Sequence, residues 1–284
     1  MIVITGATGQ LGQLIVAGLL KSVPPSQIVA AVRDVGKAGA LAALGVQVRH
    51  ADYDVPATLD AAFHGAGKVL LISSNAVGQR VAQHRNVVDA AVRAGAGLLA
   101  YTSVLHADSS ALGLAAEHRE TEAAVRASGL PYTLLRNGWY MENYTGGLGT
   151  ALEHGALLGG AGAGRIAAAA RADYAAAAVA VLLSETAPQA IYELAGDSAF
   201  TLTELAAELA RQSGKPVAYN DLPEAAYREA LLGFGLPAPL AALIADSDAA
   251  AAQGALDDSS GSLGKLIGRP TTTLAQAVRS ALPA

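Results

Sequence analysis

The start of the chain constrains it most: "VITGATGQLGQLIVAGLL", Val3 to Leu20, sets Gly6, Gly9 and Gly12 at three-residue spacing between a short apolar run and a run of helical period. Where a strand enters a helix through such a loop, the glycines permit a tight turn, close approach of backbone to a pyrophosphate, and close packing of helix on strand. The helix N-terminus beyond them offers free amide donors and the positive end of a dipole. The loop is therefore expected to hold the phosphates of a dinucleotide.

The rest of the first half supports that context. "QIVAAV" at Gln27, "VQVRH" at Val46, "KVLLIS" at Lys68, "GLLAYTS" at Gly97 and "YTLLR" at Tyr132 read as strands. Segments of helical period separate them, near 10–21, 37–44, 56–63, 76–94 and 111–128. Strands alternating with helices make βαβ units and a doubly wound parallel sheet of the Rossmann type. After Arg136 the alternation breaks down, and a smaller mixed α/β C-terminal lobe is expected. The division expected is a dinucleotide-binding domain over 1–136, joined by a returning segment near 171–195, and a substrate lobe over most of 137–284. Asp173 is expected as the N-cap of a helix, and Thr201 with Glu204 has capping-box spacing.

Ligands of such sheets bind beyond the carboxyl ends of the strands. The second strand ends in "VRD", so Arg33 and Asp34 compete for the ribose. An acidic residue accepts from a free 2′-hydroxyl; an arginine forks onto a 2′-phosphate. Arg33 comes first after the apolar run and Lys37 adds charge, which favours NADP. Asp52 and Tyr53 in "HADYD", and Ser73, Ser74 and Asn75 in "LISSN", lie at the ends of the next two strands.

Composition removes several classes of function. The 284 residues carry a formal net charge of −5 with no basic block, which argues against nucleic acid as a partner. There is no cysteine, so neither disulfides nor a thiolate nucleophile is available. The alanine runs are interrupted by Arg171 and Asp173 well short of a bilayer span, and no secretion signal is read at the N-terminus. A cytoplasmic protein with a small-molecule partner is expected. No metal site is read, and a homo-oligomer is compatible with the sequence.

With "TGATGQLG", "ADYD", "LLISS", "YTSVLHADSS", "EHRETE" and "YTLLRNGWYMENY" in this order, the chain resembles the NmrA-like atypical short-chain dehydrogenase/reductases over essentially its whole length. Within them it is most similar to the bacterial NADPH:quinone oxidoreductases of the second type. The resemblance implies NADPH as cofactor and a quinone as electron acceptor. It further implies that Gly6, Ala7, Thr8, Gly9, Gln10 and Leu11 wrap the pyrophosphate, that Arg33 holds the 2′-phosphate, and that Ser73, Ser74 and Asn75 line the cofactor's middle. Asn137, Gly138, Trp139, Tyr140, Met141 and Glu142 would lie along the nicotinamide and the acceptor.

The acid–base dyad of ordinary short-chain dehydrogenases, Tyr-x-x-x-Lys, is missing: none of the nine tyrosines has a lysine four positions on. In family members with a catalytic lysine, it precedes a glutamate of the fifth helix by four residues. Here that place, relative to Glu122, holds His118, which the resemblance makes the candidate proton donor. His106 and Tyr140 are weaker candidates, for orienting an acceptor oxygen. Trp139, Tyr140 and Phe234 could wall a flat acceptor. A quinone accepts hydride readily and its reduced form is a weak acid, so positioning beside the nicotinamide could suffice, without flavin. Reduction of triarylmethane dyes, and redox sensing by nucleotide binding without turnover, are the alternatives.

Overall fold

The computed structural model describes residues 1–282. The chain runs β1 (Ile2–Thr5), α1 (Gln10–Leu19), β2 (Ile28–Val32), α2 (Gly39–Ala43), β3 (Gln47–His50), α3 (Pro56–Ala62), β4 (Lys68–Leu71), α4 (Arg80–Arg93), β5 (Leu98–Val104), α5 (Ala115–Ala127) and β6 (Tyr132–Asn137). It continues with α6 (Glu142–Thr145), α7 (Leu148–His154), β7 (Ala156–Gly159), α8 (Arg171–Leu183), β8 (Ile191–Leu194), α9 (Leu202–Ser213), β9 (Ala218–Asp221), α10 (Glu224–Gly233), α11 (Ala238–Ala252), α12 (Ser262–Ile267) and α13 (Leu274–Ala281).

Two compact units emerge. The first comprises Met1–Ala107, Ala116–Asn137 and Tyr174–Glu193. Its sheet has the order β3-β2-β1-β4-β5-β6-β8. Every residue of β1, β2 and β5 is buried, as parallel strands covered by helices on both faces require. The core under the sheet gathers Val3, Val29, Val69, Leu71, Leu99 and Tyr101 with Leu59, Phe63 and Val87 of the crossover helices. β8 extends the sheet beyond β6: the Leu134 and Gly138 amides donate to the Ala190 and Leu194 carbonyls, a progression in the same direction along both strands. Lys68 Nζ donates to the carbonyls of Leu182 (2.7 Å) and Ser184 (3.0 Å), supplying positive charge to the C-terminal end of α8.

The second unit comprises Asp108–Ala115, Gly138–Asp173 and the chain from Leu194 onward. It holds the parallel pair β7–β9 and most of the later helices. The capping box at α9 forms as its spacing predicts, with Thr201 Oγ1 accepting from the Glu204 amide and the Glu204 carboxylate accepting from the Thr201 amide. Asp173 does not cap α8. It lies inside the first turn, fully buried, where its carboxylate accepts from the Thr272 amide (2.8 Å) and pairs with Arg269 (2.7 Å). The α8 N-terminus is served instead by Glu142, whose carboxylate accepts from the Arg171 amide at 3.0 Å.

Candidate active site

Beyond the carboxyl ends of β1 to β4 in the first unit lies a crevice of about 370 Å³, whose lining includes Gly6, Thr8, Gly9, Arg33, Asp52, Tyr53, Ser73, Ser74 and Asn75. It sits where the sheet order reverses between β1 and β4, the usual place for a dinucleotide. Gly6 has φ +59°. At Gly12 an added Cβ would lie 2.6 Å from the Gly6 carbonyl oxygen and 2.7 Å from Ala7 Cα, so only glycine lets α1 seat against the loop. Gly9 is the N-cap and no side chain caps the helix. The first intrahelical bond is Gln13 to Gly9 at 2.9 Å. Ala7 and Leu11 are buried and anchor the loop, while Gln10 is exposed. A Gly-lined turn with uncapped amides at a helix N-terminus fits a pyrophosphate.

At the end of β2 the two competing residues have different employment. The Asp34 side chain accepts from the Gly36 amide at 2.9 Å and lies 3.9 Å from Lys37 Nζ, so it caps its own turn. Arg33 is exposed, lines the crevice and makes no hydrogen bond or ion pair among the described residues. The Asp52 carboxylate accepts from the Asp54 amide. The Tyr53 hydroxyl bridges Thr5 Oγ1 and the Ile72 carbonyl, tying the end of β1 to the segments that follow β3 and β4.

The 73–75 segment rests on a buried polar scaffold. Ser73 donates its amide to Thr102 Oγ1 (2.9 Å), and Ser74 donates its amide to His84 Nε2 (2.8 Å). His84 must therefore be unprotonated at Nε2 and carry its proton on Nδ1, which donates to Thr121 Oγ1 at 3.0 Å. Arg80 Nε donates to the Ser74 carbonyl at 2.7 Å. Helix α4 thus begins at Arg80 rather than at Ala76, because residues before it are held by these contacts and not by a helical ladder.

His118 is placed against the expectation made for it. It is 5% exposed, and its Nδ1 lies 2.6 Å from the hydroxyl of Tyr101, which is fully buried. Burial, with Arg80 and His84 adding positive charge nearby, pushes its pKa down to about 3. It is neutral at neutral pH and its Nδ1 is engaged by the Tyr101 hydroxyl, a geometry that does not favour it as a proton donor. His84 is likewise depressed to about 3, by burial and by Arg80. Both values lie below the unfolded value near 6.5, so the stability conferred by keeping these rings neutral is present above that pH and is lost as pH falls toward 3. Replacing His84 by Gln and His118 by Asn, which keep acceptors at the same places, should shift the acid-unfolding midpoint to lower pH by circular dichroism. An unmoved midpoint would contradict the assignment of both as buried neutral groups.

At the end of β6, Arg136 and Glu122 form a buried bidentate pair, Nε to Oε1 at 2.8 Å and Nη2 to Oε2 at 2.6 Å, each side chain 3% exposed. Ser103 Oγ donates to Glu122 (2.6 Å), and Arg136 Nη1 donates to Glu193 (2.8 Å). Glu193 also accepts from the amide of His106, whose φ of 52° turns the chain there. The pair fixes the strand end at which Asn137 follows. Asn137 is buried and its Oδ1 has no hydrogen-bond partner, an unsatisfied acceptor of the kind a ligand donor would complete.

In the second unit, Gly138 donates its amide to Leu194 at 2.7 Å, and Met141 is buried with its amide on Ala169. Tyr140 has the Arg171 guanidinium 4.5 Å above its ring. Trp139 lines a cavity of about 960 Å³ that this unit contains. Its walls are mostly apolar: Leu157, Leu158, Leu202, Leu231, Leu236, Leu243 and Ile244, with the aromatic rings of Tyr144, Tyr227 and Phe234. Phe234 is 58% exposed, so it is no core residue. Of the three aromatics expected to wall an acceptor, Trp139 and Phe234 line this cavity and Tyr140 does not. Sequence reasoning missed the contributions of α10 and α11, and of Asp248. The available signal was one acidic residue at the start of an alanine run, "SDAAAA".

No helix of the described residues is long and apolar enough to cross a membrane. Among those residues no group of three or more His, Cys, Asp or Glu could hold a metal ion.

Residues 1–272 match the model of the NmrA-like family. Quinone oxidoreductase 2 of Escherichia coli (strain K12) is 59% identical over 278 residues, 98% of this chain and 97% of its own. The crystal structure of an NADPH-dependent quinone oxidoreductase from Escherichia coli complexed with NADPH aligns at TM-score 0.96 and 58% identity, covering 99% of each chain. The crystal structure of Citrobacter sp. triphenylmethane reductase complexed with NADP(H) aligns at TM-score 0.96 and 40% identity, covering 99% of this chain and 100% of the other.

Proposed function

The chain belongs to the NmrA-like family, and from that premise we propose that it is an NADPH-dependent oxidoreductase that reduces quinones by direct hydride transfer, without flavin. The observation that carries this reading is Arg33, an exposed and unpaired guanidinium on the crevice wall, beside an Asp34 consumed by its own turn. The structural relatives described with NADPH and with NADP(H) agree with it.

When bound, NADPH supplies a hydride to the acceptor. The chain's own residues have binding and positioning roles. The backbone of Gly6, Ala7, Thr8, Gly9, Gln10 and Leu11 would hold the pyrophosphate, with Gly12 letting α1 approach, and Arg33 would hold the 2′-phosphate. Asp52, Ser73, Ser74 and Asn75 would line the middle of the nucleotide, the last three on the scaffold of His84 and Arg80. Asn137, with its unsatisfied Oδ1, and Gly138 to Glu142 are proposed to serve the nicotinamide end and the acceptor. Within that run Met141 and Glu142 act through structure, the one buried and the other bound to the Arg171 amide.

No protein acid is required. A hydride and one proton convert a quinone to its hydroquinone, and the hydroquinone anion, the conjugate base of a weak acid, can take that proton from water. With His118 neutral and its Nδ1 engaged by Tyr101, rate would come from orientation rather than acid catalysis. Cationic triarylmethane dyes are a second acceptor class, supported by the activity named for the Citrobacter relative. Turnover of NADPH with a neutral benzoquinone and with crystal violet, compared side by side, tests the reading. Loss of NADPH with the quinone is expected. Tight nucleotide binding with neither acceptor reduced would instead favour a sensor.

A further inference from the structure

The second unit's cavity carries one feature that a site for neutral quinones alone does not need. Asp248, 5% exposed, stands in its otherwise largely apolar wall. Asp248 Oδ2 accepts from the Gly160 amide at 2.8 Å, while Oδ1 has no hydrogen-bond donor among the described residues. No lysine or arginine lines the cavity, and His154 is its one basic side chain. Around it stand the rings of Trp139, Tyr144, Tyr227 and Phe234, whose faces attract cations. An ionised carboxylate in apolar surroundings is costly unless a positive partner joins it.

We propose that this cavity receives the electron acceptor and that Asp248 makes it favour delocalised aromatic cations over neutral aromatic acceptors. The proposal rests on the reductase reading above, and names the residue that divides its two acceptor classes. A delocalised cation would bring the charge that Oδ1 lacks and lay its rings on aromatic walls, while a neutral quinone would gain only the walls. Burial, with Asp221 adding negative charge, raises the Asp248 carboxyl to about 6, in keeping with a carboxylate that lacks a cation.

Trp139 is the sole tryptophan and lines the cavity, so its fluorescence reports occupancy. The full chain loaded with NADP⁺, which holds no hydride, is titrated with crystal violet and with menadione, a neutral naphthoquinone. Asp248→Asn keeps an oxygen for the Gly160 amide and removes the charge. It should weaken crystal violet binding by roughly tenfold and change menadione binding by less than about twofold, with the thermal midpoint unmoved. Equal changes for both ligands, or none for the dye, would overturn the proposal. Phe234→Ala, at an exposed position, should weaken both ligands alike; unchanged binding of both would place the acceptor elsewhere and equally overturn it. If the wild-type protein binds both compounds with the expected split but reduces neither with NADPH, the reductase reading fails and the charge selectivity survives.

Discussion

Arg33→Ala is expected to raise the KM for NADPH by about 10- to 100-fold, the scale of lost charge-assisted hydrogen bonds to a phosphate, while leaving the KM for NADH within about twofold. The reason is geometric. Arg33 has no partner among the described residues, so removing it strands no other group and leaves the β2 end intact. Asp34 remains committed to the Gly36 amide and cannot take over the ribose without opening its turn. Steady-state kinetics with both nucleotides at fixed quinone reads the effect. Equal losses for NADPH and NADH would move the 2′-phosphate site away from Arg33. The affinity difference should also shrink at high ionic strength, because an exposed guanidinium is screened by salt.

Arg136→Met should be strongly destabilising. It removes the bidentate partner of Glu122 and leaves a carboxylate that is 3% exposed. Removing one member of a buried pair costs about 3–5 kcal/mol. That is a large part of the roughly 5–15 kcal/mol by which a domain is stable. In thermal unfolding the midpoint should fall by roughly 10 °C for a unit of this size. Ser103 and Arg126, the latter 3.0 Å from Oε2, remain to solvate Glu122 and limit the loss. Adding Glu122→Gln to Arg136→Met removes the stranded charge and should recover much of the midpoint. A single variant as stable as wild type, or a double variant no better than the single, would show that the pair does not hold the end of β6.

The strands could be read from the sequence because parallel strands buried on both faces are continuous apolar runs, and the loop because glycine spacing reflects backbone contacts such as that of Gly12 on the Gly6 carbonyl. Helix starts were less legible. Helix α5 begins at Ala115 rather than near Ala111, and Asp173 lost its expected cap to Glu142, a residue 29 positions earlier that no local rule points to. The spacing that leads to His118 is visible in the chain. Its burial against Tyr101 is not, since the charged neighbours in "EHRE" suggest an exposed turn. The cavity of the second unit was the least legible feature. Leu231, Leu243 and Ile244 on α10 and α11 look like ordinary core residues until the fold leaves space between them.

The most direct test of the account is a single-turnover mixing experiment on the purified chain with no flavin added. NADPH in slight excess over benzoquinone is mixed with the protein, and the reduced-nicotinamide absorbance is followed against an enzyme-free control. The account predicts rapid loss of one NADPH for each hydroquinone formed, with NADH much slower and with no stimulation by added flavin. Loss of NADPH no faster than the control, or loss that depends on added flavin, would contradict direct hydride transfer from NADPH to a quinone.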